Sequence, residues 1–375
     1  MNIAINARVL TERPGGPMRY TRNIIRELAK IDRKNQYFII INQKIPFDIQ
    51  LPKNFHIVLL KSRNRFFFEY LLYPWYSWRN HIDIHLFPKN TFAPFVRGMK
   101  IPVYHDIIYY ERDLGFREFK FLDHIHHLVM VRVSSWFSTI DLTVSNFTAE
   151  RMVKLLRINP AKIRIIGEGA EPVFRVIKDR KYLADIRKRF DLKGPFFFYS
   201  GSLSPRKNVL RVIKAFEKIM DKIPHRIYFT ASDSWNDIIV FNRIDESKLG
   251  SRVMQLGYLT DDELAAMYNL CQCYLYPSLY EGFGLPIIEA QSCGAPVITS
   301  NITSCPETAG DSALLVNPYD ISQLAEAMLK ISKSPSLKKS LIQKGAQNIR
   351  KYSWKRTAKE MLVLFEELKE MQQKP

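Results

Sequence analysis

Short apolar runs alternate with stretches of helical spacing along most of the chain. Asn2 to Asn6 alternates as a buried strand, and after a loop ending Pro14-Gly15-Gly16-Pro17 the residues Ile24, Ile25, Leu28 and Ile31 share one face of a helix. Tyr37 to Ile41, His56 to Leu60, Ile82 to Phe87 and Ile101 to His105 read as further strands. Phe116 to Ser138 predicts a long amphipathic helix, and Ile140 to Val144 a strand. Ser145 caps a helix through Leu156, and Ile163 to Ile166 completes the sheet. Strands alternating with helices in this way predict a doubly wound α/β domain.

The second half repeats the alternation. Strands are predicted at Phe196 to Ser200, Ile227 to Thr230, Val253 to Leu259 (with a turn at Gly257), Tyr274 to Tyr276 and Val297 to Thr299. Ser204 reads as the cap of a helix with Pro205 in first position and Val209, Val212, Phe216, Ile219 and Ile223 on its apolar face. Helices follow at Asp261 to Leu270, Ile321 to Ile331, Leu337 to Lys351 and Trp354 to Lys369. A chain of 375 residues exceeds the size at which one core stops growing, so two domains are expected. The crossing falls around Gly167 to Phe174, giving domains 1–170 and 171–355. No internal repeat or low-complexity linker separates them.

Composition narrows the class. No window of eighteen residues is free of charged, polar or proline interruptions, which argues against a transmembrane helix. MNIAINARVL lacks the basic stretch, apolar run and cleavage site of a signal peptide, so a cytoplasmic location is expected. Cys271, Cys273, Cys293 and Cys305 have no zinc spacing and read as free thiols in a reducing compartment. His124, His126 and His127 lack a carboxylate-rich partner pattern, so no metal site is expected there. The net charge of +19 favours anionic partners: nucleic acid, lipid headgroups or phosphorylated substrates. Arg63 to His81 mixes basic and aromatic residues in a way that suits an interfacial helix on anionic lipid. The competing reading, preferred for most of these aromatics, packs them on the core with Pro74 kinking the helix; both hold if the exposed face carries Arg63, Arg65 and Arg79.

The chemistry centres on Tyr274 to Gly294, YLYPSLYEGFGLPIIEAQSCG. Its order is strand, glycine-rich turn, then a short helix begun by Pro286 and stopped by Gly294 and Pro296. Such a turn lies at the carboxyl end of a strand, where open parallel sheets bind ligands. Amides of Gly282, Phe283 and Gly284 and the helix start can face an anion, while Glu281 and Glu289 can grip hydroxyls. The bland alternative is a surface helix with a solvated glutamate at each end. Arg206 and Lys207, placed at a helix N-terminus, oppose the macrodipole by roughly 0.3–1 kcal/mol each, a penalty that a bound diphosphate reverses. A solvated basic turn is the alternative. Gly15 and Gly16 allow close backbone approach to a phosphate, or form an ordinary turn. His105 and Asp106 end a strand, where His105 either contacts a sugar or packs in the core.

EGFGLPIIEA, with GSLSPRKN, the Gly15-Gly16 loop and His105-Asp106, resembles glycosyltransferase family 4, retaining GT-B enzymes with nucleotide-sugar donors. The resemblance implies two Rossmann-like doubly wound domains facing across a cleft, with the last helix, about 356–375, crossing back to the first, acceptor-side domain. It implies that Glu281 contacts the donor sugar, that Glu289 binds the ribose, and that Arg206 and Lys207 neutralise the leaving diphosphate. It also implies that Gly15 and Gly16 reach that diphosphate, with Arg19 and Tyr20 lining the same cleft. Gly282, Phe283, Gly284 and Leu285 would orient the donor, and His105 would lie near its sugar. The family's Asn-Gly at the domain crossing is replaced here by Glu168-Gly169, so Glu168 is left without a role. No D-x-D triplet is present, and neither a metal nor another cofactor is expected.

NARVL, GGPMRYT and the His-Asp strand look most like bacterial transferases of surface-polysaccharide synthesis that use mannose or a related sugar. That resemblance suggests GDP-mannose, with a UDP-sugar as the alternative, and a glycan or lipid-linked oligosaccharide acceptor at the inner face of the plasma membrane. A rival from another class is a basic nucleic-acid-binding protein. It would need cations and stacking aromatics on one face, whereas here the cations spread along both halves, so no nucleic-acid partner is expected.

Overall fold

The structure is a computed structural model that describes residues 1–12, 15–45, 49–93, 95–111, 114, 121–230, 249–250 and 252–373. The chain divides into two compact units, Met1–Glu168 with Ser353–Pro375, and Gly169–Tyr352. Pro14 and the start of the helix expected from Phe116 lie outside the described residues.

Unit 1 contains a parallel sheet of β1 (Asn2–Asn6), β2 (Gln36–Ile41), β3 (Phe55–Leu59), β4 (Ile84–Phe87), β5 (Met99–Tyr104), β6 (Asp141–Thr143) and β7 (Ile163–Ile165), in the order β3-β2-β1-β4-β5-β6-β7. Unit 2 contains β8 (Phe196–Ser200), β9 (Arg226–Thr230), β10 (Val253–Gln255), β11 (Cys273–Tyr276), β12 (Val297–Ser300) and β13 (Ala313–Val316), in the order β10-β9-β8-β11-β12-β13. β4, β8, β11 and β12 are buried along their whole length, as strands covered by helices on both faces must be. The strand order reverses between β1 and β4 and between β8 and β11, and these are the positions where doubly wound sheets bind ligands. Both halves are thus the Rossmann-like layers expected.

The helices used below are α1 (Gly16–Ile31), α2 (Phe121–Phe137), α3 (Arg180–Arg189), α4 (Val209–Glu217), α5 (Asp261–Leu270), α6 (Leu285–Ser292), α7 (Cys305–Ala309), α8 (Ile321–Lys333), α9 (Pro335–Asn348) and α10 (Trp354–Gln373). α10 packs against α1 within unit 1, and Thr357 Oγ1 donates to the Gly167 carbonyl at 2.7 Å. α3, α7 and β13 have no counterpart among the sequence expectations.

Three local expectations are corrected. Ser204 does not cap a helix: Pro205–Lys207 is a separate 3-10 turn, Asn208 follows in the left-handed region at φ 65°, and α4 begins only at Val209. The 65–79 run is α-helix at Arg65–Phe67, a π-turn at Phe68–Leu72 and α-helix at Tyr73–Arg79. The widened turn accommodates Pro74, whose ring would otherwise press on the carbonyl of Tyr70. The core reading of its aromatics holds for Phe68 and Tyr73 but fails for Phe66, Phe67, Trp75 and Trp78, which are exposed. Finally, the clean two-faced division expected of an amphipathic helix is not found in α2: it buries His124, Val131, Ser134 and Ser135 and exposes Phe121, Leu122, Ile125, Val129, Trp136 and Phe137.

Asn208 is the pin of unit 2. Its amide donates to the carbonyls of Pro277 (2.9 Å) and Pro318 (2.8 Å), and its Oδ1 accepts from Arg211 at 2.9 Å. Asn208→Ala removes the donor for two carbonyls and places a β-carbon residue without local hydrogen bonding in the left-handed region. A loss of about 2 kcal/mol is expected in denaturant unfolding; unchanged stability would show that the pin carries no weight.

Candidate functional site

In unit 2 the adjacent ends of β8 and β11 bring together two loops that are distant in sequence. Gly201, at φ 136°, turns the chain out of β8 into the Pro205–Lys207 turn, while β11 runs into Pro277–Gly284. Backbone bonds join the two loops: Leu279 N–H donates to the Arg206 carbonyl (2.8 Å), and the Arg206 guanidinium donates to the Tyr280 carbonyl (2.9 Å).

That stitching sets Arg206 and Lys207 on one carboxylate. Lys207 Nζ lies 2.7 Å and Arg206 Nη1 3.0 Å from Glu281 Oε1, and Ser278 Oγ donates to the same oxygen. Lys207 also donates to Tyr276 Oη at 2.6 Å, with its ammonium 4.8 Å from that ring's centroid. Burial alone would raise the Glu281 carboxyl, but Lys207 and then Arg206 outweigh it and hold it at about 2. Burial pulls the Lys207 ammonium below its usual value, Glu281 opposing and Arg206 adding to the fall. Two cations thus converge on one carboxylate oxygen. The cations therefore stand on a 3-10 turn and converge through side chains; they do not oppose the start of α4.

The loop after Glu281 is fixed from below. Gly284 takes φ 102° as the N-cap of α6, and a β-carbon there would lie 3.1 Å from Ile287 Cδ1. Ser304 Oγ donates to the carbonyls of Glu281 and Phe283 (both 2.9 Å), and Thr308 Oγ1 also donates to Phe283. Gly282 and Phe283 are buried, Leu285 half-buried, and the Phe283 ring meets Tyr352 edge-on at 5.5 Å. Glu289, the fifth residue of α6, is buried near Tyr268 and Tyr274; burial and then the Glu289 charge push up the Tyr268 phenol, and burial above all raises that of Tyr274. Stacked Tyr274 and Tyr276, 5.8 Å apart, link the surroundings of the two glutamates. Ser278, Tyr276, Ser304 and Thr308 were not legible as site residues, because serine, threonine and tyrosine near strand ends carry no spacing signal.

In unit 1, Gly15 is the N-cap of α1 with extended φ −178°, and Gly16 is exposed, where a β-carbon would meet nothing within 4 Å. Backbone strain does not demand glycine at position 15, nor crowding at position 16. His105 follows β5. Its Nδ1 lies 3.1 Å from Glu168 Oε1 and its Nε2 3.2 Å from the Pro88 carbonyl, so a neutral ring donates to only one of these at a time. Glu168, assigned no role from sequence, is thus the partner of His105 and is itself buried. Tyr20, expected among the residues that line a cleft, is instead fully buried between His105 (5.0 Å) and Trp354 (5.8 Å). Among the described residues no group of three or more His, Cys, Asp or Glu is arranged to hold a metal. All four cysteines are buried and free, and burial pushes the Cys305 thiol up to about 12.

Residues 183–348 match the family model described as Glycosyl transferases group 1. The chain is 27% identical over 216 residues to the O-antigen chain mannosyltransferase B of Escherichia coli, covering 57% of this chain and 56% of that protein. It is 28% identical over 254 residues to the O-antigen chain mannosyltransferase RfbU of Salmonella typhimurium, covering 64% and 63%. The chain therefore spans somewhat over half the length of these curated relatives. Among solved structures, the sucrose-phosphate synthase from Thermosynechococcus elongatus aligns with a TM-score of 0.79 at 19% identity over 98% of each chain. These matches bear out the resemblance to family 4 glycosyltransferases and the GT-B fold.

Glu281→Gln leaves two buried cations without their counter-charge and is expected to destabilise the protein by about 3 kcal/mol at neutral pH. Because the folded carboxyl titrates near 2 against 4.5 unfolded, that difference is fully present above about pH 4.5 and shrinks as pH falls toward 2. Paired denaturation curves across this range check it; a gap that does not shrink on acidification means the charge is not the cause.

Proposed function

We propose that this chain, whose residues 183–348 belong to the group 1 glycosyl transferases, moves a hexose from a nucleotide-diphosphate sugar to a glycan or lipid-linked acceptor, retaining the anomeric configuration. The observation that carries the reading is the convergence of Arg206 and Lys207 on Glu281 at the switch point of unit 2. Two cations brought to one point suit a diphosphate, and cations held in place by burial lose little in reorganisation when charge develops on the leaving group. Arg206 and Lys207 are assigned to the diphosphate and Glu289 to the ribose. Glu281 with the amides of Gly282, Phe283, Gly284 and Leu285 is assigned to the sugar, and Gly15 and Gly16 to the diphosphate from unit 1. His105, with Glu168 on its Nδ1, is the sugar contact of unit 1. Similarity to two O-antigen mannosyltransferases supports mannose as the sugar, GDP-mannose as the donor and surface polysaccharide as the product.

In the transfer step the bond from the anomeric carbon to the diphosphate oxygen breaks. The acceptor oxygen bonds to the same face of that carbon, and the acceptor's hydroxyl proton passes to the departing phosphate oxygen. Glu281 is a poor covalent nucleophile, because Lys207, Arg206 and Ser278 all occupy its Oε1 and its carboxyl is held at about 2. This favours front-face displacement over a glycosyl-enzyme.

Contact with an anionic membrane at the cytoplasmic face is part of the same proposal. No described helix is long and apolar enough to cross a membrane. Phe67, Leu71, Trp75 and Trp78 form one exposed stripe, and Phe121, Leu122, Ile125 and Val129 expose a second on α2. Phe66 against His126 (5.6 Å) and Tyr70 Oη to Met130 Sδ (3.4 Å) join the two helices. Arg79 stacks over Trp75 and Arg97 over Trp78, while Arg63 is exposed. Aromatic rings with arginines above them suit the headgroup layer of a bilayer. Arg65, expected among the membrane-facing charges, is instead turned to Glu69 at 3.3 Å.

Lys207→Ala is expected to lower turnover at least tenfold with the fold intact, measured as donor hydrolysis or transfer across a panel of nucleotide sugars. Wild-type rates in that variant, or no activity with any donor, would sink the transferase assignment. Trp75→Ser with Trp78→Ser is expected to weaken binding to phosphatidylglycerol vesicles about tenfold and to leave hydrolysis of soluble donor unchanged. Equal vesicle binding removes this face as the anchor.

A further inference from the structure

The switch point of unit 1 carries its own charged recess. β1 ends at Asn6, whose Oδ1 accepts from the Arg8 amide, and the following 3-10 turn (Arg8–Thr11) folds the Arg8 side chain back over the sheet. β4, the neighbour of β1, ends at Phe87 and delivers Lys89. The recess is lined by Asn6, Arg8, Glu69, Pro88, Lys89 and Thr91 among others, and opens to solvent. As it stands its free space, about 10 Å³, is that of a single water, so a larger group enters only if a lining side chain gives way.

Its charges form a chain. Arg8 reaches Glu12 at 2.6 Å and Glu69 at 3.0 Å; Lys89 reaches the other oxygen of Glu12 at 2.5 Å, and Arg65 the other oxygen of Glu69 at 3.3 Å. Three cations thus share two carboxylates, with one positive charge in surplus. Arg8 is buried, and burial pulls the Lys89 ammonium below its usual value even with Glu12 beside it. Arg8 and Glu69 are largely covered while Glu12, Lys89 and Arg65 are half-buried; ion pairs so placed add little stability, so their position at the mouth of a ligand-binding switch point calls for another reason. The ledge continues to the next strand of the sheet: His105, after β5, has its Nε2 3.2 Å from the Pro88 carbonyl that borders the recess.

We propose that this recess is an anion site that takes the phosphate of an organic phosphate ester, held by Arg8 and Lys89 in place of Glu12. Glu12 acts there as an internal stand-in, occupying both cations until the phosphate displaces it. That the phosphate belongs to the acceptor rests on the transfer reading above: it would sit between the acceptor sugar and its carrier, and unit 1 would select acceptors bearing it. The binding chemistry itself does not depend on that reading.

The test is equilibrium binding, without turnover, to two probes: soluble glycerol 3-phosphate by calorimetry, and phosphatidic acid vesicles against phosphatidylcholine vesicles by sedimentation. Lys89→Ala is expected to weaken binding at least tenfold, Glu12→Gln to tighten it severalfold by removing the competing carboxylate, and Lys30→Ala, an exposed lysine of α1, to leave it unchanged. An effect seen with glycerol 3-phosphate assigns the site to a soluble ester, and one confined to phosphatidic acid assigns it to a lipid headgroup; both support the proposal. If Lys89→Ala and Glu12→Gln bind both probes as the wild type does, the network is structural and the proposal is overturned. Loss of phosphate binding in Lys207→Ala alone likewise overturns it, since the only anion site would then be in unit 2. Glu12→Gln predicts a gain, so misfolding cannot imitate it. Donor hydrolysis in the same preparations reports on the transfer reading separately.

Discussion

A carboxylate taken out of water stays ionised only while cations stay beside it, and in unit 2 that condition ties together parts of the chain 74 residues apart. Glu281 needs Lys207 and Arg206, and Lys207 in turn needs Glu281, because burial works against both charges. Neither loop can hold its position alone. The turn that bears the cations is tied to the end of β11 by Asn208, by Leu279 and by the Arg206 side chain itself. The loop that bears the carboxylate rests on Ser304 and Thr308. Much of this local hydrogen bonding keeps one oxygen within reach of two cations, and a ligand that offers a better anion at the same place finds its receptors already aligned.

Unit 1 solves a different problem. α2 buries polar residues and turns apolar ones outward, Ser134 Oγ accepting the Phe92 amide while Trp136 faces solvent. The 65–79 run buries Phe68 and Tyr73 but also turns an apolar stripe outward. Outward apolar stripes on two touching helices cost solubility, and exposed apolar surface of this extent marks a contact face. The two units thus separate their roles in charge and polarity: unit 2 concentrates buried cations over a sheet, while unit 1 pairs a charged recess with a greasy flank.

The parallel sheets and most of their strands were legible because their periodicity and apolar content are strong, as at Phe196 to Ser200 and Asn2 to Asn6. β13, with two half-buried positions and an exposed one, lacked the apolar run that announces a strand. α2 was legible as a helix, but periodicity cannot say which stripe faces inward. In the site, the spacing of Glu281 and Glu289 and the Arg206-Lys207 pair stood out. The salt bridges among them did not, since a 3-10 turn and a left-handed asparagine decide where the lysine points. Glu168 was invisible for a related reason: its partner His105 lies 63 residues away, and only the folded sheet brings them to 3.1 Å.

The passage of the chain through the two units has a consequence for biogenesis. Unit 2 is made from one continuous segment, whereas unit 1 is made from two that flank it, and its α1 leans on α10. During translation the segment of unit 2 can therefore close as soon as it clears the ribosome, while the earlier-born unit still waits for its final helix. Until then Tyr20 lacks the Trp354 ring that covers it, and the outward-facing aromatic stripes are already made. Of the two units, the one begun earlier along this chain is the later to close, and in the interval its core lacks a covering helix.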